Sequence, residues 1–144
     1  MKKFSYSLDG VLRVRKIQED QTRGEVGQAL NLKNEMLRKI QQLSIEIDDS
    51  ALRLSHTGVV NIQDFVQNEN YQNGLRSKIA ELEEKIRQLE EEIERLKLVL
   101  KERVLETRKL ETHKDNEKTH WRQEMLTEEQ AAFDEISSGR HNRS

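Results

Sequence analysis

The sequence contains no cysteine and no proline, and only 4% of its 144 residues are aromatic. Without cysteine the chain has neither a disulfide framework nor a thiolate metal site. Proline inside a helix costs about 3 kcal/mol, so its absence removes the strongest obstacle to long helices. Because apolar and aromatic side chains are few, the chain cannot fill the core of a layered globular domain.

Charged side chains make up 36% of the sequence, but 25 basic and 27 acidic residues leave a formal net charge of only -2. This balance gives no overall field that attracts nucleic acid. No apolar run approaches the ~20 residues that a membrane span requires. The opening MKKFSYSLDGVLRVRK begins with lysines, but polar residues interrupt the apolar region that a signal peptide needs. The composition therefore predicts a cytoplasmic, all-helical protein without direct membrane insertion.

Isoleucine and leucine recur at alternating steps of three and four residues in the second half of the chain. This spacing is typical of a coiled-coil seam, the line of side chains that one helix buries against another. The positions are Ile79, Leu82, Ile86, Leu89, Ile93, Leu96 and Leu100. Such a narrow stripe must be covered by a helix, either from this chain or from a second copy.

The first half of the chain carries a second amphipathic run. Its proposed seam positions are Leu30, Leu37, Ile40, Ile47, Ala51 and Leu54. Ser7 is a candidate N-cap, and Asp9 suits the positive end of a helix. The strong break between the two runs is SHTGVVNIQDF, where Gly58 suits a left-handed helix end and Asn61 or Thr57 can cap the next helix.

These patterns predict an all-α fold, a long antiparallel two-helix coiled-coil hairpin with a protruding C-terminal helical arm. The expected boundaries are helix 1 over 5–56, a turn over 57–61, helix 2 over 61–138 and a disordered tail over 139–144. A longer loop reaching Gly74 is the alternative to the tight turn, and a homodimer zipped along Ile79–Leu100 is the alternative to the hairpin. With the turn near residue 59, Phe4 lies beside about residue 114, and the helix beyond is unpaired.

Three segments resemble the FliJ family of the bacterial flagellar export apparatus. FSYSLDGVLRVRK resembles the N-terminal signature of that family, and VNIQDFV resembles its block after the turn. The tail RKLETHKDNEKTHWRQEMLTEEQAAFDEI resembles its basic-then-acidic arm, which ends in an Asp-Glu pair. The likeness extends over essentially the whole chain.

The resemblance implies a stalk-like cytoplasmic component of flagellar type III protein export, needed for flagellum biogenesis and motility. Such a protein is similar to the central stalk of rotary ATPases and to injectisome stalk proteins. The implied partners are the export ATPase hexamer, the cytoplasmic domain of the export gate membrane protein and substrate chaperones, so the protein is expected to associate peripherally with the membrane-embedded apparatus. The chain alone is expected to be a monomer. A generic coiled-coil tether or adaptor, unrelated to secretion, is the alternative function.

The resemblance also indicates candidate partner-binding residues. Gate binding falls on the middle of the coil, where Phe65 matches the family pattern and Tyr71 and Leu75 supply a shifted version of it. Glu69, Gln72 and Arg76 occupy neighbouring places with different chemistry. The candidates for contact with the ATPase ring lie on the arm and are Lys114, Lys118, Trp121, Arg122, Phe133, Asp134 and Glu135. The alternatives are that the aromatic residues pack within the hairpin and that the basic residues form a solvated stripe.

Catalytic and metal sites are not expected. His113, Glu117 and His120 share one helical face and resemble half of a di-iron motif, but the first helix lacks a matching half. A two-helix hairpin offers no concave pocket in which a nucleophile is desolvated. We therefore predict no catalytic residue, no cofactor, no metal ligand and no enzyme activity.

Overall fold

The computed structural model describes residues 2–56, 58 and 61–143, and the side chains of all of these except 141–143. It contains two helices, α1 over Asp9–His56 and α2 over Ile62–Arg143. The two helices pack against each other, and no strand occurs in the described ranges. The prediction of an all-α helical hairpin is confirmed.

Helix α1 begins later than residue 5, the start expected from the sequence. The Leu12 amide donates to the Leu8 carbonyl at 2.9 Å, which makes Leu8, and not Ser7, the residue at the N-cap position. The Asp9 amide donates to the Tyr6 carbonyl at 3.1 Å and closes a turn just before the helix. The chain therefore leaves the helical path early enough for the Tyr6 side chain to become buried.

Helix α1 ends at His56 with basic side chains in its last turn, where the negative end of the helix dipole favours them. Gly58 adopts a φ of 67°, the left-handed conformation expected at this position, which costs glycine little because it has no Cβ. The candidate cap Thr57 lies outside the described residues, as does most of the expected turn.

Helix α2 begins at Ile62, and the Asn61 carbonyl accepts its first helical hydrogen bond from the Phe65 amide at 3.0 Å. The helix passes through Gly74 without interruption, so the longer loop is not formed. It also continues to Arg143, through the segment where a disordered tail was expected. A single helical glycine, here Gly139, costs only about 1 kcal/mol and does not by itself end a helix.

The chain divides into two compact units, one made of residues 1–21 and 100–144 and the other of residues 22–99. In the second unit, covered positions alternate at steps of three and four residues on both helices, as a coiled-coil seam requires. On α1 they are Val26, Ala29, Lys33, Met36, Ile40, Leu43, Ile47, Ser50 and Leu54. On α2 they are Gln72, Leu75, Ile79, Leu82, Ile86, Leu89, Ile93 and Leu96. Within the first unit, Leu12 is buried and Leu100 is half-buried.

Three residues assigned to the seam from sequence, Leu30, Leu37 and Ala51, are exposed, and Ser50 takes the seam position next to Ala51. A step of three residues back from Ile40 reaches Leu37, and a step of four reaches Met36. Both steps are compatible with a coiled coil, and the apolar pattern alone favours Leu37. Leu43 decides the register, because it is buried and lies seven residues after Met36. The seam therefore runs through alanine, lysine and serine positions that a search for large apolar residues passes over.

Polar pairs interrupt the apolar seam. In the second unit, Ser50 hydrogen-bonds Asn68, and the Lys33 Nζ lies 3.2 Å from the Glu90 Oε1. In the first unit, Arg15 contacts Glu106 at 3.1 Å. Such pairs match in only one alignment of the two helices, so they help to fix the register.

Candidate functional site

The first turns of α2 carry a cluster of exposed apolar side chains. Phe65 is 54% exposed, and Ile62 and Val66 beside it are also exposed. We call Ile62, Phe65 and Val66 the turn cluster. Sequence reasoning selected only Phe65, although the 62–65–66 spacing, which puts all three on one side of a helix, was visible in VNIQDFV.

Tyr71 lies two turns further along α2 and is half exposed. Its hydroxyl donates a long hydrogen bond to the Glu46 Oε2 at 3.4 Å, so the ring spans α1 and α2 at the surface. An open groove adjoins it, lined by Ser50, Arg53, Leu54, Asp64, Gln67 and Asn68. Tyr71 is therefore accessible to a partner while remaining anchored to the hairpin.

Leu75 is only 4% exposed, because it belongs to the seam against α1. Its side chain is therefore covered by α1 and is not accessible to a partner in this structure. Gln72 is buried in the same seam. Arg76 and Glu69 are exposed and lie 4.0 Å apart, at the limit of an ion pair.

Residues 2–8 precede α1, and we call them the N-terminal strap. The Phe4 ring packs on the Trp121 ring with centroids 5.9 Å apart and planes inclined by 53°. The buried Tyr6 places its hydroxyl 2.6 Å from the His113 Nδ1 and 3.4 Å from the Leu110 carbonyl. The strap therefore covers α2 as far as Trp121.

The strap changes where the unpaired arm begins. Lys114 was expected at the start of the bare helix, but its Nζ lies 3.1 Å from the Asp9 Oδ1. Non-helical chain advances up to ~3.3 Å per residue against 1.5 Å in a helix, so the strap reaches further along α2 than a helix of equal length. Trp121 is consequently half-buried, and the expectation that it stands on an uncovered helix is wrong.

From Leu126 to Arg140, every residue of α2 is exposed, and we call residues 126–143 the C-terminal arm. Phe133 is 72% exposed, and Leu126 lies seven residues earlier on the same helical face. Ile136 is exposed as well. Sequence reasoning missed Leu126 and Ile136, although their helical spacing from Phe133 marked an apolar face.

The residues expected to contact an ATPase ring thus fall into two groups. Lys114 and Trp121 are engaged by Asp9 and by the strap. The others are exposed on α2, and they are Lys118, Arg122, Phe133, Asp134 and Glu135.

Two histidines of α2, His113 and His120, make helical pairs with glutamates. The His113 Nε2 lies 3.5 Å from Glu117, and the His120 Nε2 lies 3.0 Å from Glu124. Among the described residues, no three histidine or carboxylate side chains are arranged to hold a metal ion.

The outer face of α2 carries a short ladder of ion pairs. Arg87 contacts Glu84 at 2.7 Å and Glu91 at 2.6 Å, both within the same helix. Hydrogen bonding from Arg87 lowers the pKa of the Glu84 carboxyl, and Arg95 lowers the pKa of Glu92 in the same way. These pairs lie on the solvated side of the helix, where ion pairs contribute little, so they do not mark a site.

A family model described as "Flagellar FliJ protein" matches residues 4–144. The chain belongs to the flagellar FliJ protein family. Membership makes it a component of the flagellar export apparatus. No match is found among the curated proteins or the solved structures. In the part of the chain that the structure describes, neither helix is long and apolar enough to cross a membrane.

Proposed function

We propose that the chain is a stalk-like part of the flagellar export apparatus, as its family resemblance implies. In this role it binds the export ATPase ring, promotes the assembly and activity of the ring, and links it to the export gate and to substrate chaperones. The C-terminal arm is the segment that enters the ring, and the turn cluster with Tyr71 is the surface that meets the gate.

The uncovered arm is the observation that carries the proposal. Its 18 residues form a helix about 27 Å long. Leu126 and Phe133 form an apolar face on it, flanked by the acidic pair Asp134 and Glu135. Exposed aromatic residues of this kind are typical anchors of protein interfaces.

An arm in the middle of a ring acts through asymmetry. The subunits around a central helix meet different side chains, so identical subunits are stabilised in different conformations. The arm carries its apolar face on one side only, which supplies that difference. Stimulation of ATP hydrolysis by this route requires the arm to contact the ring but needs no catalytic group on the arm itself.

The alternative of a dimeric tether requires the α2 seam to be open for a second copy. Ile86, Ile93 and Leu96 are buried in this chain, and α1 lies against them. Their burial favours the hairpin, in which the seam is already occupied, and so argues against that form of tether.

The test is the rate of ATP hydrolysis by the purified export ATPase with and without the full-length chain. We expect the double change Leu126→Ser and Phe133→Ser to remove most of the stimulation, because both side chains point to solvent and their loss does not disturb the fold. Leu98→Ser is the matched control, since Leu98 is a similarly exposed leucine on α2 outside the arm. Full stimulation by the double variant would overturn the assignment of the arm.

A further inference from the structure

Helix α1 carries a second apolar stripe, separate from the seam. Its four members are exposed, Leu30 at 38%, Leu37 at 45%, Ile45 at 52% and Leu52 at 56%. Because they recur at steps of seven or eight residues, they lie along one face of the helix. This stripe lies wholly within the unit formed by residues 22–99.

The spacing of the stripe is symmetric about Gln41. Counting outward from Gln41, the positions on this face lie at four, seven and eleven residues in both directions. The pairs are Leu37 with Ile45, Asn34 with Asp48, and Leu30 with Leu52, and all of these residues are exposed. In an antiparallel pair related by a two-fold axis at Gln41, each position faces the position equally far on the other side of Gln41, so this spacing places apolar side chains opposite apolar side chains.

The charged side chains on the face of the stripe have opposite signs in its two halves. Arg38 lies seven residues before Ile45, and Asp48 lies four residues before Leu52, so both share the face of the stripe. Both are exposed. In an antiparallel pair centred on Gln41, Arg38 of one copy faces position 44 of the other, one helical turn from Asp48. A parallel pair instead sets Arg38 against Arg38 and Asp48 against Asp48, so the charges favour the antiparallel arrangement.

We propose that two copies of the chain associate through this stripe, antiparallel and centred on Gln41. In this arrangement Leu37 of each copy meets Ile45 of the other, and Leu30 meets Leu52. The two arms and the two turn clusters are not part of the interface. With four aliphatic side chains from each copy, the contact is at the small end of specific interfaces, so the dimer is weak. The expectation of a monomer then applies to dilute protein only.

The absence of cysteine makes this geometry testable by disulfide trapping in the full-length chain. In the antiparallel dimer, position 34 of one copy faces position 48 of the other. Two copies of position 34 are then separated by 14 residues, or about 21 Å along the axis, too far for a disulfide. At roughly 100 µM, where a weak interface is populated, a mixture of Asn34→Cys chains and Asp48→Cys chains should form a disulfide-linked dimer, and neither variant alone should.

Leu37→Glu, added to both variants, should abolish trapping in the mixture, because each copy then buries one charge opposite Ile45 of the other copy, and the dimer buries two. Leu98→Glu is the control for surface charge and should leave trapping unchanged, since Leu98 lies on α2 away from the stripe. Equal trapping by a single variant alone would show parallel or non-specific contact and would overturn the proposal. Absence of trapping in the mixture would also overturn the proposal, and a helix of another protein would then be the expected partner of the stripe.

Discussion

Leu43→Ala and Leu37→Ala provide a paired test of the register of the hairpin. The two leucines lie six residues apart on α1, and an apolar pattern alone places Leu37 in the seam. In the structure, Leu43 is buried and Leu37 is exposed. Both substitutions remove the same atoms from the same helix, and both introduce the same good helix former, so intrinsic helix propensity cancels in the comparison.

The expected magnitudes follow from burial. Truncating leucine to alanine removes three carbon atoms, worth about 0.8 kcal/mol each when fully buried, or about 2.4 kcal/mol in total. The cavity contribution at Leu43 is small, because only two helices enclose the site and they can close on it. We therefore expect Leu43→Ala to lower the free energy of unfolding by about 2–3 kcal/mol and Leu37→Ala by less than about 1 kcal/mol.

The measurement is urea unfolding followed by the helical circular dichroism signal. A protein concentration of about 2 µM keeps the weak dimer dissociated, so that loss of Leu37 from the second stripe has no effect on the result. For a chain of this size, the two variants should also differ in Tm by several degrees. Equal losses for the two variants, or a larger loss for Leu37→Ala, would refute the register and with it the assignment of the second stripe as a free surface.

Two further predictions concern the strap and the polar pair in the seam. Trp121 is the single tryptophan of the chain, so its fluorescence reports on the strap directly. Phe4→Ala should shift this fluorescence to longer wavelength and increase its quenching by acrylamide, whereas the control Phe133→Ala should do neither. An unchanged spectrum in Phe4→Ala would show that the strap does not cover Trp121. Ser50→Ala and Asn68→Ala should each destabilise the hairpin by about 1–2 kcal/mol, because each leaves a polar partner unsatisfied. The double variant should cost less than the sum by about 1 kcal/mol, and strict additivity would show that the two side chains do not interact.

The family relationship and the main surfaces could be anticipated from the sequence to different degrees. The signature around Phe4 and the block around Phe65 indicated the family, and in the structure Phe4 lies on the N-terminal strap and Phe65 on α2. The exposed Phe133 was found because an aromatic residue stood in a polar segment. Leu126 was missed because a single leucine in a polar segment does not by itself indicate a binding surface. It becomes notable only once the structure shows that α1 and the strap leave this part of α2 exposed.

The sequence by itself determined that the chain is helical and that α2 has a seam, because regular spacing and the lack of proline act within one helix. It did not determine which of two neighbouring faces of α1 covers that seam. Both faces carry leucine, and the choice depends on which partners Ala29, Lys33, Met36 and Ser50 find on α2. Only the tertiary structure decided this. It also showed that Phe4 and Tyr6 lie before the first turn of α1, where they contact Trp121 and His113. Contacts between residues more than 100 positions apart, such as Tyr6 with His113, have no periodic signal in the sequence, because they depend on how the two helices are aligned.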